Sequence, residues 1–205
     1  MMVIGLTGGI AAGKSTVARM LQNSNIPVID ADLLAREVTL KNSMGLRKVV
    51  AAFGEQFLDS SGELDRKALA AVVFSDHEKL KLLEEIVHPL IEEEKRKALS
   101  ALEKSHASVV VYMAPLLFEK NIDQDLDKTL LVTCSDDVRI KRIMNRDQLG
   151  EAEARQRISK QWSDEKKAQK ASEILENNGN LDSLQNNLRV IWRRMTGMDL
   201  VAGEN

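Results

Sequence analysis

Near the start of the chain, Gly8-Gly-Ile-Ala-Ala-Gly-Lys-Ser15 fits the pattern G-x-x-x-x-G-K-[ST] without a gap. Those residue types in that order suit the phosphates of a nucleoside triphosphate. Glycines let successive backbone N–H groups turn inward around phosphate oxygens without a Cβ clash. A helix opening directly after them adds the partial positive charge of its N-terminus. Gly8, Gly9, Ala11, Ala12 and Gly13 supply the backbone cradle. Lys14 should reach the β- and γ-phosphates, the Ser15 hydroxyl should ligate Mg²⁺, and Thr16 is placed for the α-phosphate. The apolar Val3–Leu6 run before the motif and the helical periodicity of Lys14–Leu21 after it set the loop between a strand and a helix.

A triphosphate loop alone leaves a kinase, a guanine-nucleotide switch and a motor-type ATPase open. A switch should carry an NKxD sequence to read guanine, and none occurs; Asp59-Ser-Ser-Gly62 matches DxxG by letter but follows no convincing strand and reads as a surface turn. A motor ATPase should end an apolar strand in Asp, whereas Val109–Tyr112 runs into Met113-Ala114-Pro115. Carboxylates stand instead at Ile29-Asp-Ala-Asp32, after a second apolar run, at the strand end where open α/β sheets bind ligands. Either Asp30 or Asp32 could take the proton of an attacking hydroxyl or help hold Mg²⁺. The competing reading for each is N-capping of the helix that follows. Cations for the migrating phosphoryl group come from Arg139, Lys141, Arg142, Arg146, Arg155, Arg157 and Lys160, with Arg142 and Arg146 one helical turn apart on one face. Interleaved acids allow the same stretch to be a solvated charged face.

The elements that must position these groups follow from periodicity. Five short apolar or β-rich runs, Val3–Leu6, Pro27–Ile29, Ser108–Tyr112, Thr129–Thr133 and Glu173–Leu175, predict a five-stranded parallel sheet flanked by helices, an α/β fold. Leu181, Leu184, Leu188, Ile191 and Met195 repeat at helical spacing. Ser75 with Glu78 reads as a capping box opening one helix, and Pro89 as the first turn of the next. The second and third runs lie far further apart than one crossover helix requires, so a helical insertion is expected over about 33–104, and a helical lid over about 136–170. The 205 residues suffice for one domain with a buried core; 29 basic against 31 acidic residues give a net charge of −2 and no footprint for nucleic acid. A single cysteine, Cys134, precludes an intrachain disulfide and reads as a core residue. No apolar run is long enough to span a bilayer and no signal-peptide pattern opens the chain, so a cytoplasmic protein is expected.

Several motifs in order extend this reading: Ile4-Gly-Leu-Thr-Gly-Gly-Ile10 with Gly13-Lys-Ser-Thr16, Val28-Ile-Asp-Ala-Asp32, Gly62-Glu-Leu-Asp-Arg66, His88-Pro89, Pro115-Leu-Leu-Phe-Glu119, Arg142, Arg146-Asp147, Gln161 and Asn177-Asn-Gly179. Together they resemble the dephospho-coenzyme A kinases, P-loop enzymes that use ATP to phosphorylate the ribose 3′-hydroxyl of dephospho-coenzyme A. The resemblance implies Asp32 as general base, with Lys14 and Arg142 as the other catalytic groups. It makes the insertion the coenzyme A-binding region and Arg142 and Arg146 lid arginines for ATP phosphates. It also implies that Asn177 and Gly179 form part of the adenine pocket. Thr7, Arg66, His88 and Leu116 fall on the substrate side. A monomer or weak homo-oligomer that binds neither nucleic acid nor membrane is expected. Three departures stand out. Ala11-Ala12 replaces a frequent Gly-Ser, and Ala11 argues against a positive φ there. Met113 stands where many members have Asp, leaving Mg²⁺ to Ser15, Asp32 and phosphate oxygens. Arg139 stands where Gln is common.

Overall fold

The computed structural model describes residues 1–201. Each of the five expected runs forms a strand: β1 (Met2–Gly8), β2 (Val28–Asp30), β3 (Val109–Met113), β4 (Lys128–Thr133) and β5 (Glu173–Glu176). Their order in the sheet is β2-β3-β1-β4-β5, and the β1·β3, β1·β4 and β4·β5 pairs are parallel. All five residues of β3 and the central four of β4 are buried, which is why those runs are nearly continuously apolar rather than alternating. β1 lies at the centre, with Leu6 beside Met113 on one side and Leu130 on the other. Its neighbours are reached by connections leaving in opposite directions, so the crevice for a ligand opens at its carboxyl end.

Nine α-helices are formed among the described residues: α1 (Lys14–Asn23), α2 (Ala31–Glu37), α3 (Met44–Phe53), α4 (Arg66–Val73), α5 (His77–Lys104), α6 (Asp136–Asp147), α7 (Glu151–Ile158), α8 (Asp164–Ala168) and α9 (Leu181–Thr196). The chain divides into two compact units, one of Met1–Ile29 with the chain from Leu102 onward, the other of Asp30–Ala101. In the first, α1 and α9 cover the sheet. Val17, Ala18 and Leu21 from α1 and Leu184, Leu188, Ile191, Trp192 and Met195 from α9 join Ile4, Leu6, Val111, Leu130 and Val132 in one core. Fully burying each of the Val, Leu, Ile and Met side chains among them stabilises the fold by roughly 1.5–3 kcal/mol. Trp192 is wholly buried there, whereas Leu181, included in the apolar stripe by spacing, is the first residue of α9 and 63% exposed. A helix's first residue lies before the turn that packs, so Asn180 caps the helix and Leu184 begins the buried stripe.

The unit Asp30–Ala101 is helical, with its own core of Val49, Phe57, Leu69 and Val73 against Leu80, Leu83, Ile86 and Val87. Two sequence expectations fail here. The helix after α4 is capped by Asp76, whose Oδ1 accepts from the Glu78 and Lys79 amides, while the Ser75 hydroxyl donates back to the Val72 carbonyl. Ser and Asp are comparable caps, and only the local turn chooses between them. Nor does Pro89 open a new helix: α5 runs 28 residues with Pro89 inside it. An interior proline costs about 3 kcal/mol, and apolar contacts from Leu80, Leu83, Ile86 and Val87, all preceding it, help offset that locally. The DxxG match is indeed a turn, in which Asp59 Oδ1 accepts from the Ser61 and Glu63 amides and from the Ser61 hydroxyl.

Candidate active site

β1 ends at Gly8 and α1 begins at Lys14, so the phosphate loop projects from the carboxyl end of the central strand. Gly13 caps α1 at φ 107°, a conformation that favours glycine, and offers no side-chain acceptor to the first-turn amides. The N-terminal end of α1, with its positive dipole, thus faces the loop, an arrangement that favours an anion there. Ser15 is exposed on this first turn and Thr16 is half-buried. The Lys14 ammonium curls over the loop, donating to the carbonyls of Gly8 at 2.7 Å and Gly9 at 3.2 Å. Ala11 overturns the expectation that it resists a positive φ: it stands at 58°. The left-handed conformation costs an L-residue roughly 1–2 kcal/mol. Its methyl group offsets part of that cost by packing, with Ile10, against Ile140, Ile143 and Ala154 from α6 and α7.

The loop is braced by distant parts of the chain. Gln161 Oε1, on the α7–α8 connection, accepts from the Ile10 amide at 2.8 Å. Asn177, 6% exposed at the end of β5, donates through Nδ2 to the Ala12 carbonyl at 2.8 Å. Arg142 donates through Nη1 to the Ala11 and Ala12 carbonyls (3.3 and 3.4 Å) and through Nη2 to the Asn177 backbone and side chain (3.1 and 3.3 Å). The sequence reading paired Arg142 with Arg146, and the structure gives them different surroundings. Arg146 is exposed and held by Asp147, which also pairs with Arg157. That hydrogen bond raises Arg146 above its ordinary pKa, and the two guanidiniums hold the Asp147 carboxyl below its own. Gly179 is exposed, two residues beyond Asn177.

A second layer escaped sequence reasoning. Lys167 is fully buried, pairing with Glu119 of the Pro115–Glu119 motif at 2.9 Å and donating to the Pro115 carbonyl. The same carbonyl accepts from the Thr7 hydroxyl at 3.3 Å, so buried Thr7 ties β1 to that motif, on which Leu116 is exposed. Glu119 also accepts from the Trp162 amide. Arg139 is 4% exposed and pairs with Asp164. A lysine or arginine in a charged helix carries no sequence signal for burial. A polar cleft of about 370 Å³ lies here, lined by Ser135, Arg139, Gln161, Trp162, Asp164 and Glu165, among others. Cys134 borders it as a buried free thiol that burial pushes above its ordinary pKa.

In the helical unit, Asp30 Oδ1 accepts from the amides of Asp32 (2.9 Å) and Leu33 (3.4 Å). Asp30 is thus the cap of α2, and Asp32 lies exposed in the first turn. Arg66 opens α4 behind its cap Asp65 and donates to the Arg36 carbonyl at 2.9 Å; burial and the neighbouring Arg36 charge lower its pKa. His88 is exposed on α5. A cavity of about 240 Å³ between α3 and α5 is lined by Glu37, Ser43, Met44, Leu90 and Glu94, and neither Asp32, Arg66 nor His88 reaches it.

A parallel sheet with a lysine-bearing phosphate loop at the tip of its central strand, braced by an arginine-bearing helix, defines a P-loop kinase of the small-molecule type. Its fold is shared with shikimate kinases: that of Bacteroides thetaiotaomicron superposes with a TM-score of 0.52 at 15% identity, covering 96% of this chain and 99% of the other. Residues 2–183 match the family model described as dephospho-CoA kinase. Dephospho-CoA kinases of Geobacter sulfurreducens (41% identical, 95% of this chain and 98% of the relative) and Arabidopsis thaliana (44%, 90% and 79%) align with it. Crystal structures of TT1252 from Thermus thermophilus (TM-score 0.81, 39% identity, covering 96% and 98%) and of the Campylobacter jejuni dephospho-CoA kinase (0.71, 27%, 95% and 97%) share the fold. The chain belongs to the dephospho-CoA kinase family, which catalyses the final step of coenzyme A biosynthesis, with ATP as co-substrate.

Proposed function

We propose that this chain transfers the γ-phosphoryl group of ATP to the ribose 3′-hydroxyl of dephospho-coenzyme A through the residues singled out above. The observation that carries the reading is the braced loop Gly8–Ser15, with its positive-φ Gly13, uncapped α1 and overlying Lys14. Gly8, Gly9, Ala11, Ala12 and Gly13 present amides to the phosphates, Thr16 supports the α-phosphate, and Lys14 offsets charge on the migrating group. Arg142 adds positive charge directly behind the Ala11 and Ala12 carbonyls, and Arg146 one turn on adds charge shared with Asp147. Asn177 and Gly179 border the adenine.

On the acceptor side, Asp32 takes the proton from the ribose hydroxyl. With Asp30 committed to capping α2, Asp32 is the carboxylate of the pair suited to proton transfer. Arg66 and His88 from the helical unit, with Thr7 and Leu116, are assigned to recognition and shaping of the acceptor. The unit Asp30–Ala101 is accordingly read as the coenzyme A-binding region and α6–α8 as the lid.

Mg²⁺ fits the donor set: the exposed Ser15 hydroxyl is a hard oxygen ligand, and among the described residues no three His, Cys, Asp or Glu gather to hold a metal. That suits an ion carried largely by phosphate oxygens, as Mg²⁺ usually is. Bound there, it would neutralise charge on the β- and γ-phosphates. With no helix among the described residues long and apolar enough to cross a membrane, we place the enzyme in the cytoplasm, as a monomer or weak homo-oligomer. An ADP-release assay across dephospho-coenzyme A, adenosine and shikimate tests the assignment. Release should depend on dephospho-coenzyme A alone, and acceptor-independent release would overturn it.

A further inference from the structure

Gly9 is a glycine for a reason other than its backbone angle. Its φ is not positive, yet a Cβ built there would collide with Nη1 of Arg139. The Nη1 end of the Arg139 guanidinium is therefore directed at Gly9, one residue from the Ile10 amide that Gln161 holds. It is 4% exposed, donates through Nη2 to the Cys134 carbonyl at 3.3 Å, and forms its ion pair with Asp164 through the same nitrogen. Asp164 is the first residue of α8, three residues after Gln161, so one short segment carries both the acceptor on the loop and the anchor of the arginine. Arg139 Nε and Asp164 Oδ1 are buried without a hydrogen-bond partner. Leaving such polar atoms unpaired is costly, so a pair kept for folding alone would be better made from apolar residues.

We propose that Arg139, locked by Asp164, is a positioning residue for the phosphate loop: its planar fork fixes the Gly9 segment and hence the amides that meet ATP. This rests on the assignment of Gly8–Ser15 as the ATP site. The role belongs to the fork and not merely to the charge, because Nη1 faces Gly9 while Nη2 serves Cys134 and Asp164. It is also a role that a glutamine in place of Arg139 could not fill with the same reach, and Asp164 supplies the counter-charge that burial of an arginine demands.

Arg139→Lys separates fork from charge. The lysine keeps a cation for Asp164 but loses the second arm of the fork, the Nη1 that reaches Gly9. Its melting temperature should stay within a few degrees of wild type while the Kd for ATP, measured by equilibrium dialysis, rises about tenfold. The KM for dephospho-coenzyme A should change less than twofold. Wild-type ATP affinity in this variant overturns the proposal, as does a proportional rise in both constants that tracks lost stability. Should Arg139→Lys not fold, the neutral pair Arg139→Gln with Asp164→Asn takes its place, with the same ATP-specific loss expected and the same outcomes against it. A cycle with Gly9→Ala gives an independent reading. The added methyl should weaken ATP binding in wild type and do so at least fivefold less in the double variant, whose glutamine side chain is shorter than the arginine; equal damage in both backgrounds overturns the contact. Failure of wild-type protein to bind ATP would instead overturn the assignment of the loop, which the dialysis control detects separately.

Discussion

The phosphate loop and the surface of the helical unit differ in what fixes their functional side chains. Around the loop, restraint comes from residues far away in sequence: Asn177 bonds across 165 positions to Ala12, Gln161 across 151 to Ile10, and Arg142 across 131 to Ala11. In the unit Asp30–Ala101 the candidate groups are fixed locally or stand exposed. Asp30 caps its own helix, Arg66 reaches a carbonyl 30 residues away, and Asp32 and His88 are exposed on helical turns. A loop cross-linked in this way is organised in advance, as a site working by electrostatic stabilisation requires. On the proposed assignment, the exposed acceptor-side groups would obtain their final positions from contact with a large, flexible substrate. Part of the binding energy on that side would then go into ordering.

This contrast can be broken or sharpened by experiment. The largest effect is expected at Lys14. Lys14→Ala should lower kcat by about a thousandfold with circular dichroism and melting temperature unchanged, and near-normal turnover would remove the loop lysine from the chemistry. Next comes Asp32→Asn, which should lower kcat by about a hundredfold or more while ATP affinity stays at the wild-type value. A parallel loss of ATP binding would make Asp32 a nucleotide-side or metal group and erase the division drawn here. Asn177→Ala should act on the braced side alone. It removes the shorter of the two hydrogen bonds to the buried Ala12 carbonyl, leaving Arg142 as the other donor, costs about 0.5–1.5 kcal/mol of stability, and weakens ATP binding without altering the KM for dephospho-coenzyme A. Equal effects on both substrates would show that the bracing is shared.

The smallest effect concerns pH. The Asp59 carboxyl is held below its ordinary pKa by the Ser61 hydroxyl and then by the Glu63 and Ser61 amides of its turn. A depressed folded-state pKa gives stability that is complete above the unfolded value, about 3.9, and is lost as pH falls through the folded one. Asp59→Asn should therefore lower the melting temperature slightly at pH 7 and flatten its decline on acidification. Unchanged acid dependence would show the turn to be energetically silent.

Much of the molecule was legible because local chemistry sufficed. The loop is a contiguous motif whose strand and helix adjoin it, and β3 and β4 are buried on both faces, leaving a nearly continuous apolar signature. The Ile29–Asp32 carboxylates were legible as a pair but not as individuals. Capping and proton transfer ask for the same side chain, and only the bonds from the Asp32 and Leu33 amides show that Asp30 is the one that caps. Pro89 misled because its cost is a local quantity while α5 is held by tertiary packing.

By itself, then, the sequence determined the triphosphate loop, the parallel sheet and the set of residues that marks the family. These depend on residue type at short spacing, where backbone geometry fixes the outcome. Only the tertiary structure decided that Ala11 takes a positive φ and that Gln161 and Asn177 hold the loop. It alone turned Arg139 inward to meet Asp164 and rest on Gly9. Each of those depends on segments brought together by a shared core, and a charged residue on an amphipathic helix looks the same in sequence whether it faces water or a buried partner.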